Sequence, residues 1–148
     1  MRVTKHTDYA LRVLIYLATS SEERVSTSQI ADAHRISHAH LQKVVRALGE
    51  AGFIELHRGA QGGIELAQDS SEISIGEVVR LLEGHDALVE CFQPLSSQCV
   101  ISTACRLKGA LARAQEAFFG ELDPITLASL VRGRQRTELR KLTGQAAR

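Results

Sequence analysis

Apolar residues recur along this chain first at helical and then at strand spacing, and that switch predicts its architecture. Ala10, Leu11, Leu14, Ile15, Leu17 and Ala18 follow the i, i+3, i+4, i+7 template of a half-buried helix. In "VSTSQIADAHRISHAHLQKVVRALGEAG", Ser26 with Gln29 reads as a capping box opening a second helix, and Ser37 can cap a third. Ile30, Ala31, Ile36, Leu41, Val44, Val45 and Leu48 supply their shared core, and Gly49 and Gly52 mark the end of the third helix. "FIELHRGAQGGIELA" then changes period. Phe53, Ile54 and Leu56 lead into the turn cluster "GAQGG", and Ile64 and Leu66 return from it, which predicts a β-hairpin. Three helices followed by a hairpin is the plan of a winged helix-turn-helix.

Beyond the hairpin the pattern is helical again. Ser74 with Glu77 forms a second capping-box signature for "SIGEVVRLLEG", which Gly84 closes. Leu107, Ala110, Leu111, Ala114 and Phe118 form a stripe on a long helix, suited to pairing with a second copy of the chain. Asp123 and Pro124 are expected to open a last short helix, "ITLASLV". The predicted fold is mainly α with a small β-hairpin wing. Its expected parts are a DNA-binding domain over 1–70, a connecting helix over 71–86, a cysteine loop over 87–105, dimerisation helices over 106–132 and a basic, mobile tail over 133–148.

Charge narrows where a partner could bind. The 148-residue chain has a formal net charge of +1, so attraction to nucleic acid must come from a local patch. One candidate runs from Arg35 to Arg46, with Arg35, Lys43, Arg46 and the histidines 38 and 40, and no acid. Another is the tail, with six basic residues from Arg132 onward against Glu138 alone. In a helix-turn-helix the second helix of the motif enters the major groove. Its cap Ser37 and its outward residues His38, His40, Gln42, Lys43 and Arg46 are therefore the candidate DNA-binding set. Gln42 can read adenine, and Lys43 and Arg46 can reach guanine or phosphate. On the wing, Arg58, Gly59, Gln61 and Gly62 are added, with Arg58 able to enter a minor groove. His34 and His57 read as surface or cap residues.

The three cysteines, Cys91, Cys99 and Cys105, lie on one segment spaced C-x7-C-x5-C. Thiolates are the usual ligands of iron–sulfur clusters and structural zinc, but this spacing is not the C-x2-C of either. Idle or buried thiols are the competing explanation. The N-terminus mimics a signal peptide, yet Asp8 and Arg12 interrupt its apolar run, and the odd cysteine count predicts reduced thiols in the cytoplasm. No segment approaches the roughly 20 apolar residues of a membrane span.

"TDYALR", "STSQIA", "HLQKVVRALGEAGFIE", "RGAQGG", "SIGEVVR" and "ECF…C…ACRLKGAL" together resemble the Rrf-type family of winged-helix regulators, from Met1 to about Val131. "TDYALR", "ALVECF" and "ACRLKGAL" are most similar to its nitric-oxide-sensing branch. That likeness implies a homodimeric, cytoplasmic repressor of operator DNA, with an iron–sulfur cluster, 4Fe–4S in preference to 2Fe–2S, on Cys91, Cys99 and Cys105. It implies a fourth ligand at Asp8 of the partner subunit, and nitric oxide as the signal. An acid in a first helical turn that pairs with Arg12 at i+4 is the alternative role for Asp8. Cluster-status-responsive members carry a histidine three residues after the last cysteine, where Lys108 stands here, and iron-responsive members tend to carry asparagine where Asp8 stands. The longer gap between Cys91 and Cys99 keeps the iron-responsive reading open. An electron-transfer protein would leave the winged motif without a role. A redox enzyme would need a base beside a thiol, for which only His85 is near, so the expectation is a non-enzyme.

Overall fold

The computed structural model describes residues 3–59, 62–84, 88–93 and 97–145. Helices α1 (Lys5–Thr19), α2 (Thr27–His34) and α3 (His38–Glu50) precede an antiparallel hairpin of β1 (Ile54–His57) and β2 (Gly63–Leu66). Then come α4 (Ile75–Glu83), a 3-10 turn at Glu90–Phe92, α5 (Arg106–Leu122), α6 (Leu127–Leu130) and α7 (Gly133–Leu142). The mainly helical fold with a hairpin wing is therefore the one the periodicity predicts. Among the described residues no helix is long and apolar enough to cross a membrane.

The capping box of α2 closes in both directions. Gln29 N–H donates to Ser26 Oγ at 3.2 Å, and Ser26 N–H donates to Gln29 Oε1 at 2.7 Å. The α2–α3 turn passes through Arg35 at φ 54°, a left-handed conformation uncommon for a residue with a side chain, after which Ile36 turns inward. The hairpin register pairs Ile54 with Leu66 and Leu56 with Ile64, and Val25 bridges to Ile64, tying the α1–α2 link to the wing.

Several local expectations shift. On α1 the fully buried residues include Val13 as well as Ala10 and Leu14, while Leu11 and Ile15 are only half-buried. The apolar residues of α1 spread over more than one face, so periodicity alone does not find the centre of the stripe. Gly49 lies inside α3, which runs on to Glu50. The second capping box is half made: Ser74 Oγ accepts from Glu77 N–H, the return bond from Ser74 N–H to the Glu77 carboxylate is not formed, and the Ser74 hydroxyl donates to the Asp123 carbonyl. Asp123 ends α5 rather than opening α6, whose cap is Thr126. Residues 133–145, expected as a mobile tail, form α7 and its return onto α1: Gln145 Nε2 donates to the Tyr16 carbonyl at 3.1 Å, and Thr19 Oγ1 donates to Gln145 Oε1 at 2.9 Å.

One apolar cluster joins these parts, from Ala10 and Leu14 on α1 through Leu41 and Leu48 on α3 to Val78, Phe119 and Leu127. Helices α4 and α5 are also held by Arg80. Its guanidinium reaches Glu116 at 3.0 Å and Asp123 at 2.8 Å and lies 4.5 Å from the centre of the Phe119 ring. Gly76 lets this corner close, since a Cβ there would come within 2.5 Å of the Asp123 backbone nitrogen.

Candidate nucleic-acid interface and cysteine segment

Helix α3 buries Leu41, Val44, Val45 and Leu48, and this fixes what it turns outward. Ser37 caps it, with Oγ accepting from His40 N–H at 3.3 Å. Ser37, His38, His40, Gln42, Lys43 and Arg46 are all exposed. Arg46 is held by Glu50 one turn on, at 2.7 Å. Both side chains are well exposed, so the pair is a weak competitor for a phosphate.

The wing faces the start of the motif. His38, the first residues of α2 (Thr27 and Ser28), and His57, Arg58, Gly59 and Gly62 line one open groove of about 520 Å³. Gly59 sits at φ 104°, and a Cβ on Gly62 would meet the His57 carbonyl oxygen at 2.5 Å, so this turn needs glycine at both places. Gln61 lies outside the described residues. The groove adds Thr27 and Ser28, which the sequence reading did not single out. Their signal was present as the capping box, which takes up the N–H groups of Ser26 and Gln29 and leaves those of Thr27 and Ser28, in the first turn, to meet a phosphate. Only the fold reveals that it faces the wing. Arg58→Ala is expected to weaken DNA binding and to lower the salt slope of the affinity by about one. Fluorescence anisotropy across a salt series checks this, and an unchanged slope would mean that Arg58 meets no phosphate.

Helix α1 lies behind the recognition helix. Lys5, His6 and Tyr9 meet His40, Lys43 and Val44 around a small cavity of about 190 Å³. Asp8, the neighbour of Tyr9, is gripped by Arg12 through two contacts of 3.1 and 2.8 Å, both side chains being half-exposed. His34, expected as a surface or cap residue, is the last residue of α2 and lies half-buried, edge-on to Tyr16. Burial first, and then Arg12, push its pKa down against the opposing pull of Asp8. The N-terminus of α1 is also clamped. Glu83, the last residue of α4, accepts from Thr4 N–H and Thr4 Oγ1, both at 2.8 Å. Burial alone would raise the Glu83 pKa, but hydrogen bonds from Thr7 and Thr4 outweigh it and hold the carboxyl below its usual range.

The first cysteine, Cys91, stands eight residues after Glu83. Cys91 sits in the 3-10 turn and Cys105 at the N-cap of α5, where its side chain makes no capping bond. Both line an open cleft of about 630 Å³ with Phe92, Lys108, Ala112 and Glu116, and Cys99 lies outside that lining. Glu90, the first residue of the 3-10 turn, reaches the residue before Cys99, since its Oε1 accepts from Gln98 N–H at 2.7 Å. All three thiols are free and half-buried. They do not gather within 4.8 Å of one another. One tetrahedral zinc, with Zn–S bonds of about 2.3 Å, would need that gathering. A multinuclear cluster spreads its thiolates further apart, so the donor set suits it better. His85 lies outside the described residues.

A family model described as Rrf2, iron-dependent transcriptional regulator, matches residues 3–133. The chain belongs to the Rrf2 family. It is 48% identical over 135 residues to the HTH-type transcriptional regulator NsrR of Geobacillus kaustophilus, covering 90% of this chain and 92% of that one. Among solved structures, the oxidized form of Staphylococcus aureus CymR aligns with a TM-score of 0.68 at 30% identity, over 90% of this chain and 98% of that one. T. potens IscR aligns with a TM-score of 0.70 at 25% identity, over 100% of this chain and 93% of that one. Rrf2 proteins are transcriptional regulators, and this chain is a DNA-binding regulator of that kind rather than an enzyme.

Proposed function

We propose that this Rrf2 regulator is a repressor that holds an iron–sulfur cluster, 4Fe–4S in preference to 2Fe–2S, and leaves its operator in response to nitric oxide. The observation that carries the reading is the cysteine segment itself: three free thiols, two of them on one cleft, a short step from the clamp on α1. The NsrR name of the Geobacillus relative supports it. Cys91, Cys99 and Cys105 would hold the cluster, with Asp8 of the partner subunit as the fourth ligand. When bound, it would supply irons open to attack by nitric oxide, most of all where a hard carboxylate replaces a thiolate.

The chain's own residues explain how such a site reaches DNA. Glu83 fixes the start of α1 to the end of α4, from which the cysteine segment departs. Asp8 lies on the next turn of α1, and Tyr9 beside it touches the cavity shared with His40 and Lys43. Releasing or gripping Asp8 therefore shifts the helix on which the reading residues rest. A coupling of about 1.4 kcal/mol changes affinity tenfold, enough for a switch. The exposed apolar face of α5 and the turn before it supports a homodimer. Leu107 is 63% and Ile101 61% exposed, and Ala110 and Ala114 lie open beside them.

The family's description as iron-dependent favours a second reading, in which iron supply is the signal. Anaerobically purified protein on operator DNA separates the two. Release by nitric oxide with iron in excess supports the first, and release by a chelator alone supports the second. Asp8→Ala is expected to keep the fold, because an exposed i,i+4 pair contributes only about 0.3–0.5 kcal/mol, and to make the cluster bleach faster in air. An unchanged bleaching rate would reject Asp8 as a ligand.

A further inference from the structure

The small cavity between α1 and α3 gathers more positive charge than the fold itself uses. Lys5 and His6 reach it from the first turn of α1, and His40 and Lys43 from the exposed side of α3. No acid lines it. The buried Val44 and the half-buried Tyr9 complete the lining and make its walls largely apolar. Three other cations in this half of the molecule are each answered by an acid: Arg12 by Asp8, Arg24 by Glu65 and Arg46 by Glu50. Lys5 and Lys43 are exposed, and among the described residues neither forms an ion pair. The acids at the start of α1 are engaged already, Asp8 with Arg12 and Glu83 with Thr4. His6 acts on that same Glu83 carboxylate, which leaves Lys5 as the unopposed cation at this end of α1.

Two lysines brought to one cavity by separate helices repel each other unless an anion meets them both. A cleft of one sign with apolar walls also concentrates the field that it offers to an anion. His40 and Lys43 stand on the face of α3 assigned to the major groove, so the anion beside them is a backbone phosphate. We propose that Lys5 of α1 grips the DNA backbone beside the recognition helix, on the same run of phosphates as Lys43. The inference rests on α3 as the reading helix and adds α1 to the DNA-binding surface. Such a contact carries no sequence information and instead fixes the register of the protein on the duplex. It also lies one turn from Asp8 on the same helix, so bound DNA would itself hold α1 in place. The contact uses no cysteine and stands or falls independently of the cluster reading.

The test is fluorescence anisotropy of the anaerobically purified full chain across a salt series, on operator DNA and on an unrelated duplex. The wild type is compared with Lys5→Gln, Lys5→Arg and Lys43→Gln. Lys5→Gln should weaken binding by a similar factor on both duplexes and lower the salt slope by about one for each subunit bound. Lys5→Arg should keep the wild-type slope. Lys5 is exposed, so the melting curves of its variants should coincide with that of the wild type. A wild-type slope in Lys5→Gln would overturn the proposal. Weaker binding at an unchanged slope would overturn it too, because Lys5 would then act only by positioning α3. Lys43→Gln reports on α3 by itself, so a lower slope there with none at Lys5 keeps α3 as the reader and removes α1 from the interface. Neutral methylphosphonates placed one at a time in the operator locate the contact. At one position the replacement should weaken the wild type and leave Lys5→Gln unaffected, and equal losses in both proteins at every position would contradict the assignment.

Discussion

Cys105→Ser is expected to remove the visible absorption of the anaerobically purified protein and to make its DNA affinity indifferent to nitric oxide, while the fold survives. The position explains why loss of function should be separable from loss of structure. Cys105 is the N-cap of α5 and makes no side-chain capping bond. Serine is among the preferred N-cap residues, and its hydroxyl can accept from a free N–H of the first turn. The substitution should therefore leave stability unchanged or raise it by a few tenths of a kcal/mol up to about 1. A hydroxyl is a poor substitute for a thiolate on iron, so the ligand is lost. An absorption spectrum, a melting curve and a binding isotherm with and without nitric oxide read all three outcomes. A variant that kept its colour and its nitric oxide response would remove Cys105 from the ligand set.

Leu14→Ala should have the largest effect on stability. Leu14 is fully buried at the middle of α1, in the same cluster as Leu41 and Leu48 of α3 and Val78 of α4. Truncating such a leucine costs about 2–5 kcal/mol, through lost transfer energy and the cavity left behind. Domains of this size have about 5–15 kcal/mol in total. The helix it would loosen carries Asp8 and Tyr9 and backs the recognition helix. DNA affinity should fall along with the urea midpoint. An unfolding free energy within about 0.5 kcal/mol of wild type would mean that α1 repacks freely, and a loose α1 could not relay a signal to α3.

Local grammar made most of the fold legible. The capping box at Ser26, the cap at Ser37 and the glycine-rich hairpin each occur where side-chain chemistry dictates the backbone within a few residues. The outward face of α3 followed because its apolar residues leave little choice. Features that depend on contacts distant in sequence did not follow. Ser74 caps α4 as its sequence suggests, but its hydroxyl proton goes to the Asp123 carbonyl, 49 residues on. The tail looked mobile because it is basic and polar, yet Gln145 finds the carbonyl of Tyr16 across 129 residues. His57 read as a surface or cap residue because Glu65, from the facing strand, meets it only once the hairpin register is fixed. The cysteine spacing named a chemistry only through its resemblance to a family. Within one chain the fold brings Cys91 and Cys105 to a common cleft, leaves Cys99 outside it, and gives Asp8 to Arg12.

The most direct measurement of the central claim is a nitric oxide titration of the anaerobically purified protein on operator DNA, with anisotropy and visible absorption recorded on the same sample. The account predicts that absorption changes and DNA release advance together, with affinity falling at least about tenfold at the end point. Loss of the absorption with DNA affinity unchanged would contradict it, because the cysteine segment would then be uncoupled from the winged helix.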